Sequence, residues 1–584
     1  MNAFTAPTID WAAVSPVLVV LAAGVLGVLV EAFVPAAARR LTQVVLTLAA
    51  LAGSLVAVGL LWGRVQESAV SVVGGTYLLT PFGLGIQAVV AVCALLGVLV
   101  VADRTATGQD AFAPSAAAVP GTSYEDASRR ADLQQTEIYP LILFATGGML
   151  LFPATDDLIV MFIALEVLSL PLYVLCATAR RRRLLSQEAA AKYFLLGAFA
   201  SALFIFGVAL IYGFAGTVRL SGVADVLRDP AATPLGNMPL LVMAGVLLVL
   251  TGLLFKMGAA PFHMWTPDVY QGSPTPITGF MAACTKAAAV GALVRVVFTL
   301  VEGLDAGLRH DVEVALWVVA ILTMLVGTVV GVVQTDVKRL LAYSSIAHAG
   351  FLLVGLVGFS ELGSRATVFY LLAYGLATVG AFAVVTLVRE VTTGSAGDGV
   401  VLGEATRLAQ WAGLGRKAPW LTAAFALFLL SMAGIPLTAG FIAKFGAFQA
   451  AVDAGAWPLA VLGVLASAVS VFFYVRIIVL MVLTPPADAL VTDAGPGQDV
   501  VAAQPAGPPA TVERADGASG VAAGSGSGVA TMTRSAVART VVTVVGSRGP
   551  TAVAVAVCAI GVVLLGLLPA SVLDLAAEAA KFRQ

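Results

Sequence analysis

Charge is scarce in this sequence. Of 584 residues, only 11% are Asp, Glu, Lys or Arg, less than half the share usual in soluble proteins. That shortage, set against 60% hydrophobic residues, excludes a soluble globular enzyme and a disordered chain. The formal net charge is -1, so there is no bulk positive field to attract nucleic acid. Histidine and cysteine are also rare, at three and four residues. Cys93, Cys176, Cys284 and Cys558 lie far apart in apolar runs with no CxxC pair. This argues against a zinc, haem or iron–sulfur site, and the cysteines read as small buried hydrophobes. Lysine is the third scarcity: 7 against 25 arginines. The N-terminus has Asp10 and no basic run before its first apolar stretch. No cleavable signal peptide is expected, and that stretch should be retained as a helix.

Long apolar runs dominate what is present, and mean hydropathy is +0.99. A helix needs about 20 apolar residues to cross the hydrocarbon core. Fourteen segments qualify or come close: 13–35, 42–63, 77–102, 137–153, 157–178, 189–214, 239–262, 274–300, 312–333, 340–359, 366–388, 419–450, 456–484 and 551–569. The expectation is an all-α membrane protein. Its parts would be an N-terminal three-helix segment (1–103), a flexible cytoplasmic insert (104–135), a first five-helix repeat (136–302) and a second (303–484). A disordered cytoplasmic loop (485–550), rich in Ala, Gly, Pro, Ser and Val, and a C-terminal helix (551–584) would follow.

Basic residues orient the segments. With the N-terminus outside, the inner connections hold 19 lysines and arginines and the outer side holds 7. Discounting the long last loop leaves 15 to 7, which still fits the positive-inside rule. Arg180, Arg181, Arg182 and Arg183 form a strong inner anchor. Both termini are then expected outside, and the protein in a bacterial plasma membrane.

A charge at a helix centre costs roughly 2.5–3.5 kcal/mol on insertion scales. One acid, Glu166, sits near the middle of a segment, and Lys256, Lys286 and Lys444 lie well inside others. This chain uses arginine for nearly every anchor, yet three of its seven lysines are placed deep. Arginine cannot lose its proton in a protein, whereas a buried lysine can. A site that binds and releases protons therefore calls for lysine. Arg295, Arg476 and Lys192 lie nearer segment ends, where snorkelling explains them. Pro261 follows Lys256, and Gly434, Ile435 and Pro436 precede Lys444. Both strings predict broken helices, in segments seven and twelve. The two breaks are five segments apart, and an odd spacing implies repeats of inverted topology. His348, inside the tenth segment, and His263, at the end of the seventh, are either relays or hydrogen-bonded structural groups.

Several strings carry a resemblance: FIALEVLSLPLYVL (162–175), EAAAKYFLLGAFASALF (188–204), LLFKMGAAPFHMWTPDVYQGSPTPITGFMAACTKAA (253–288), DVKRLLAYSSIAHAGF (336–351) and AGIPLTAGFIAKF (433–445). In these the chain resembles the subunit N family of the proton-pumping NADH–quinone oxidoreductase, respiratory complex I. The resemblance covers roughly 137–484, and the first three helices and the last match less well. TPDVYQGSPTP reads like subunit N, the twelfth segment carries lysine where subunit M has glutamate, and the short tail after the last helix is unlike subunit L.

The resemblance implies a proton relay. Glu166 would be the acid of the fifth helix and the ion-pair partner of Lys256. Lys286 would be the middle relay, His348 a polar relay and Lys444 the terminal lysine. It also implies no cofactor in this subunit: NADH, FMN, iron–sulfur clusters and quinone would be handled elsewhere in the complex. The partners would be the other membrane and peripheral subunits and the lipid bilayer, with no nucleic acid. Two alternatives stay open: a subunit of a multisubunit cation/proton antiporter, and a structural spacer with idle lysines.

Overall fold

The structure, a computed structural model, describes residues 9–66, 68–104, 111–113, 135–180, 182–236, 238–393, 400–485, 539–544 and 549–581. Helices dominate. The N-terminal part holds α1 (Trp11–Phe33), α2 (Ala36–Val65) and α3 (Pro81–Val101). Then come α4 (Ile138–Leu151), α5 (Leu158–Cys176), α6 (Arg183–Ala215), α7 (Pro239–Met257), α8 (Trp265–Gly272) and α9 (Thr275–Leu300). The next group is α10 (Ala306–Val332), α11 (Val337–Leu356), α12 (Glu361–Leu387), α13 (Pro419–Ala433), α14 (Ala439–Asp453) and α15 (Trp457–Leu483), followed by α16 (Pro550–Leu567) and a short α17 (Ala570–Ala579). Among the described residues, twelve helices are long and apolar enough to cross a membrane, and Ile138–Ala154 and Pro419–Ala433 are shorter apolar ones.

Local chemistry sets the helix ends. Asp10, Asp157, Asp305 and Asp336 each accept two backbone N–H groups at the start of their helix, satisfying donors that have no intrahelical partner. Proline opens α3, α7, α9, α13, α15 and α16, where its missing N–H costs nothing. Glycine closes α7 and α13 in the left-handed region, Gly258 at φ 80° and Gly434 at φ 83°, as a Cβ-free residue can. The seventh segment therefore stops at Met257, not 262, and resumes as α8. Gly258, with Pro261 following, ends the helix before the apolar run ends.

Burial defines the layers. In the most apolar 18-residue window of each helix, α9 is 100% buried, α12 94% and α11 89%, against 39% for α1, α6 and α10. Three helices thus form a protein-enclosed column, whereas α1, α2 and α13 turn Phe33, Leu60 and Trp420 outward, as lipid-facing helices do. Close backbone approach tightens the bundle. A Cβ on Gly327 of α10 would lie 2.7 Å from Ala347 Cα and 2.8 Å from Tyr343 O of α11. Only glycine lets these two helices meet there.

One backbone arrangement occurs twice. Asp157 and Arg219 form an isolated bridge in which Leu158 N donates to Val218 O (2.9 Å) and Leu220 N to Asp156 O (2.7 Å). Asp336 and Arg407 do the same, Val337 N to Thr406 O (2.7 Å) and Leu408 N to Thr335 O (2.8 Å). The two bridges lie at opposite ends of α9. Arg295 near the Leu300 end reaches Thr155 O, whereas Thr275 hydrogen-bonds to Glu404 beside the second bridge.

Short strands qualify the all-helical expectation. β1 (Val70–Val72) and β2 (Tyr77–Leu79) form a hairpin. β3 (Val388–Thr393) is flanked by β4 (Val400–Glu404) and β5 (Arg539–Val544), all antiparallel. β5 falls inside the stretch 485–550 expected to be disordered. Its β-branched run RTVVTV finds an edge on VREVTT of β3. Residues 486–538 and 545–548 of that stretch, and most of the 104–135 insert, lie outside the described residues.

Candidate functional site

Three buried lysines, Lys256, Lys286 and Lys444, lie around the two helix breaks. Lys256 stands in the last turn of α7 and is 3% exposed. Its Nζ donates to Tyr193 Oη of α6 at 3.2 Å. It also faces the rings of Tyr193 at 4.8 Å and Tyr173 at 5.5 Å, a geometry that favours a cation. Tyr193 stacks on Trp265 with centroids 4.6 Å apart, and Trp265 Nε1 donates to Phe255 O at 2.9 Å across the break.

Glu166 corrects one expectation. It makes no direct ion pair with Lys256, whose ammonium instead contacts Tyr193 Oη and the Tyr173 and Tyr193 rings. Glu166 Oε1 is buried and has no hydrogen-bond partner, an expensive arrangement for a carboxylate. Arg295 corrects another. It does not snorkel but is 2% exposed, its guanidinium donating to Thr155 O at 3.2 Å and Leu78 O at 3.3 Å. Asp156 lies in the α4–α5 connection nearby. Burial raises its carboxyl above the usual range, against the Ser221 hydrogen bond and the Arg295 and Arg219 charges.

Lys286 joins the first break to the central column. From α9, its Nζ donates to Met257 O at 3.2 Å and to Ser345 O of α11 at 2.6 Å. Met257 is the last residue of α7, so the ammonium caps a helix C-terminus, where positive charge is favoured. The Tyr374 ring lies 5.4 Å from the ammonium, and Tyr374 Oη donates to Ser345 Oγ at 2.8 Å. His348 lies one turn further along α11, 3% exposed. Its Nδ1 is 2.7 Å from Tyr370 Oη and its Nε2 3.4 Å from Tyr474 Oη. Tyr474 Oη bonds in turn to Ser344 Oγ. A neutral imidazole has one donor and one acceptor nitrogen, and a phenol can serve either.

Lys444 closes the second break as Lys286 closes the first. From α14, 4% exposed, it donates to Ala433 O, the last residue of α13, at 3.1 Å, and to Ser467 Oγ of α15 at 2.8 Å. Its ammonium faces the Phe351 ring at 4.6 Å. A small cavity lined by His348, Tyr370, Tyr374, Ser431, Met432 and Ala443 separates His348 from this break. It has room for about one water molecule.

The structure thus places Lys256, Lys286, His348 and Lys444 in protein-enclosed positions, each beside tyrosine or serine side chains. Glu166 stands beside the first of them. His263 lies in the α7–α8 break with its Nδ1 buried and unpartnered. Several groups escaped the sequence reading. Tyr193, Tyr270, Tyr370, Tyr374 and Tyr474 are five of only 11 tyrosines, and all are buried within apolar helices. A buried tyrosine needs a hydroxyl partner, and that was the available signal. Lys338 reads as an inner anchor, yet it is 2% exposed, donates to Ser273 O at 2.6 Å and lies 3.8 Å from Glu404 Oε2.

This fold and this lysine line define a membrane subunit of the antiporter type. A family model described as "NADH:quinone oxidoreductase/Mrp antiporter, TM" matches residues 155–470. The chain is 52% identical to NADH-quinone oxidoreductase subunit N of Beutenbergia cavernae, over 99% of both chains. It is 50% identical to that of Rhodococcus opacus, over 87% of this chain and 93% of the relative. A chain of respiratory complex I from Thermus thermophilus with bound aureothin superposes with a TM-score of 0.68 at 31% identity, covering 96% of this chain and 99% of that one. A chain of the Mrp complex from Dietzia shares the fold, with a TM-score of 0.70 at 21% identity over 97% of each chain. The chain belongs to the NADH-quinone oxidoreductase subunit N family.

Proposed function

We propose that this chain is a proton-translocating membrane subunit of a bacterial NADH–quinone oxidoreductase, driven by quinone reduction elsewhere in the complex. Protons would pass along Lys256, Lys286, His348 and Lys444, with Glu166 stabilising the charged form of Lys256. One observation carries the reading: Lys286 Nζ on the Ser345 carbonyl, Tyr374 Oη on Ser345 Oγ with its ring 5.1 Å from that of His348, and His348 Nε2 beside Tyr474 Oη fill the interval between two lysine-bearing helix breaks. The amine, hydroxyl and imidazole groups among them can donate or accept. The subunit performs no redox step itself, and NADH, FMN, iron–sulfur clusters and quinone belong to its partners. Arginine-rich connections such as Arg180–Arg183 support a plasma-membrane orientation with that face inside and both termini outside. The paired Asp157–Arg219 and Asp336–Arg407 bridges at opposite ends of α9 support two five-helix units of inverted topology.

The test starts with native electrophoresis of gently solubilised membranes carrying a tagged copy, stained for NADH oxidation. The tag should run in a large NADH-oxidising band. In that complex Lys256→Ala should abolish or uncouple pumping. Migration in a smaller assembly without NADH oxidation, with sodium-dependent transport, would transfer the same lysines to a cation/proton antiporter.

A further inference from the structure

Where the two five-helix units meet, the Thr275 end of the bundle carries a cleft of about 820 Å3. Arg182 and Gln271 line it from the first unit, and Arg407, Arg476 and Leu480 from the second. Arg182 Nη1 donates to Thr406 Oγ1 at 2.8 Å and Arg476 Nη1 to Val332 O at 2.8 Å. These are neutral partners. Among the described residues, none of the three guanidinium groups forms an ion pair. One carboxylate, Asp336, also lines the cleft. Its Oδ1 already accepts Lys338 N at 3.0 Å and Arg339 N at 3.1 Å as a helix cap. The cleft is therefore net positive.

The surroundings select the kind of anion. The helix ends bordering the cleft expose apolar side chains outward: Leu184 of α6 at 82%, Leu483 of α15 at 70% and Val333 beside α10 at 68%. A small soluble anion has no use for such a border. An anionic phospholipid fits both features, its phosphate on the arginines and its acyl chains along the helices. Guanidinium groups bind phosphate through paired charge-assisted hydrogen bonds, and a basic residue near an anionic leaflet is worth about 1 kcal/mol.

We propose that this cleft binds the phosphate-bearing headgroup of an anionic phospholipid, with its chains against α6 and α15. The bound phosphate bridges the two units, because its ligands come from both. The proposal does not depend on the proton-transfer reading.

The test uses the intact purified complex, delipidated in mild detergent and titrated with phosphatidylglycerol, phosphatidylcholine or inorganic phosphate, with bound lipid counted by native mass spectrometry. Phosphatidylglycerol should bind. In the double variant Arg182→Gln/Arg407→Gln its affinity at one site should fall roughly thirtyfold, two basic contacts converted at 1.4 kcal/mol per decade. Arg182→Lys/Arg407→Lys should stay within a few fold of wild type. A photoreactive acyl chain on phosphatidylglycerol should label residues 182–185 or 476–483 of the unsubstituted complex, a readout that survives any assembly defect in the variants. Equal lipid binding by the glutamine variant, equal binding of phosphatidylcholine, or labelling only elsewhere would overturn the proposal. So would complete displacement by inorganic phosphate, which would make the cleft a soluble-anion site.

Discussion

Lys256→Arg separates holding a charge from moving a proton. Lys256 is 3% exposed, its ammonium bonded to Tyr193 Oη at 3.2 Å and set over two tyrosine rings. Arginine keeps the charge, can reach the same hydroxyl and stacks as well on aromatic faces. Every static interaction of the site has a counterpart in the variant. Release does not. A guanidinium keeps its proton beyond pH 12, so giving it up near pH 7 costs on the order of 7 kcal/mol. That is a slowing of about 10^5-fold for a step that must occur every turnover. The assay is the purified complex in proteoliposomes, with NADH oxidation followed alongside quenching of a pH-sensitive dye. The expected outcome is a complex of normal size whose dye quench per NADH is lost or sharply reduced. Wild-type quenching in Lys256→Arg would refute the argument, because a group that cannot release a proton cannot belong to the relay.

Four further outcomes follow from named contacts. Glu166→Gln removes the charge proposed to stabilise Lys256 and should lower pumping in the same assay more than Glu166→Asp does. Tyr370→Phe strips His348 Nδ1 of its 2.7 Å partner. An unsatisfied buried group costs about 1–3 kcal/mol, to be read as a lower midpoint in thermal unfolding of the solubilised complex and weaker pumping. Gly327→Leu forces a side chain onto the backbone of α11 and should cost about 1–3 kcal/mol or more, seen on native gels as reduced assembly. Lys444→Gln keeps donors for Ala433 O and Ser467 Oγ but carries no proton, so assembly should survive while dye quenching is lost.

The sequence made some of this legible and hid the rest for physical reasons. Apolar length marks membrane segments because the bilayer thickness sets it. Gly434 and Pro436 announce the second break, since glycine and proline act through their own backbone. The deep lysines stand out because they defy the cost of insertion. Contacts across the bundle leave no such mark. That Tyr173 and Tyr193 lie beside Lys256 where Glu166 was expected depends on how α5 and α6 pack against α7. The burial of Arg295 likewise depends on the β1–β2 hairpin supplying Leu78 O. Lys338 sits two residues past a helix cap, where a sequence reading counts it as an anchor. Its burial follows from Glu404 and Ser273, which are distant in sequence.

The two breaks explain why lysine serves here better than an uncharged donor. Ending a helix inside a membrane protein leaves carbonyls without partners, and each must be satisfied by the protein itself. Met257 O finds Lys286 Nζ and Ala433 O finds Lys444 Nζ. An ammonium also offsets the partial negative charge of the helix C-terminus, and its hydrogen bond is stronger than a neutral one. Loss of the proton weakens that bond and the charge interaction together. Conversely, a shift that widens either break removes the acceptor that favours the protonated lysine. If Lys286 and Lys444 exchange protons as proposed, proton occupancy and backbone closure at these two positions are coupled, and motion imposed on α7 or α13 would act on both.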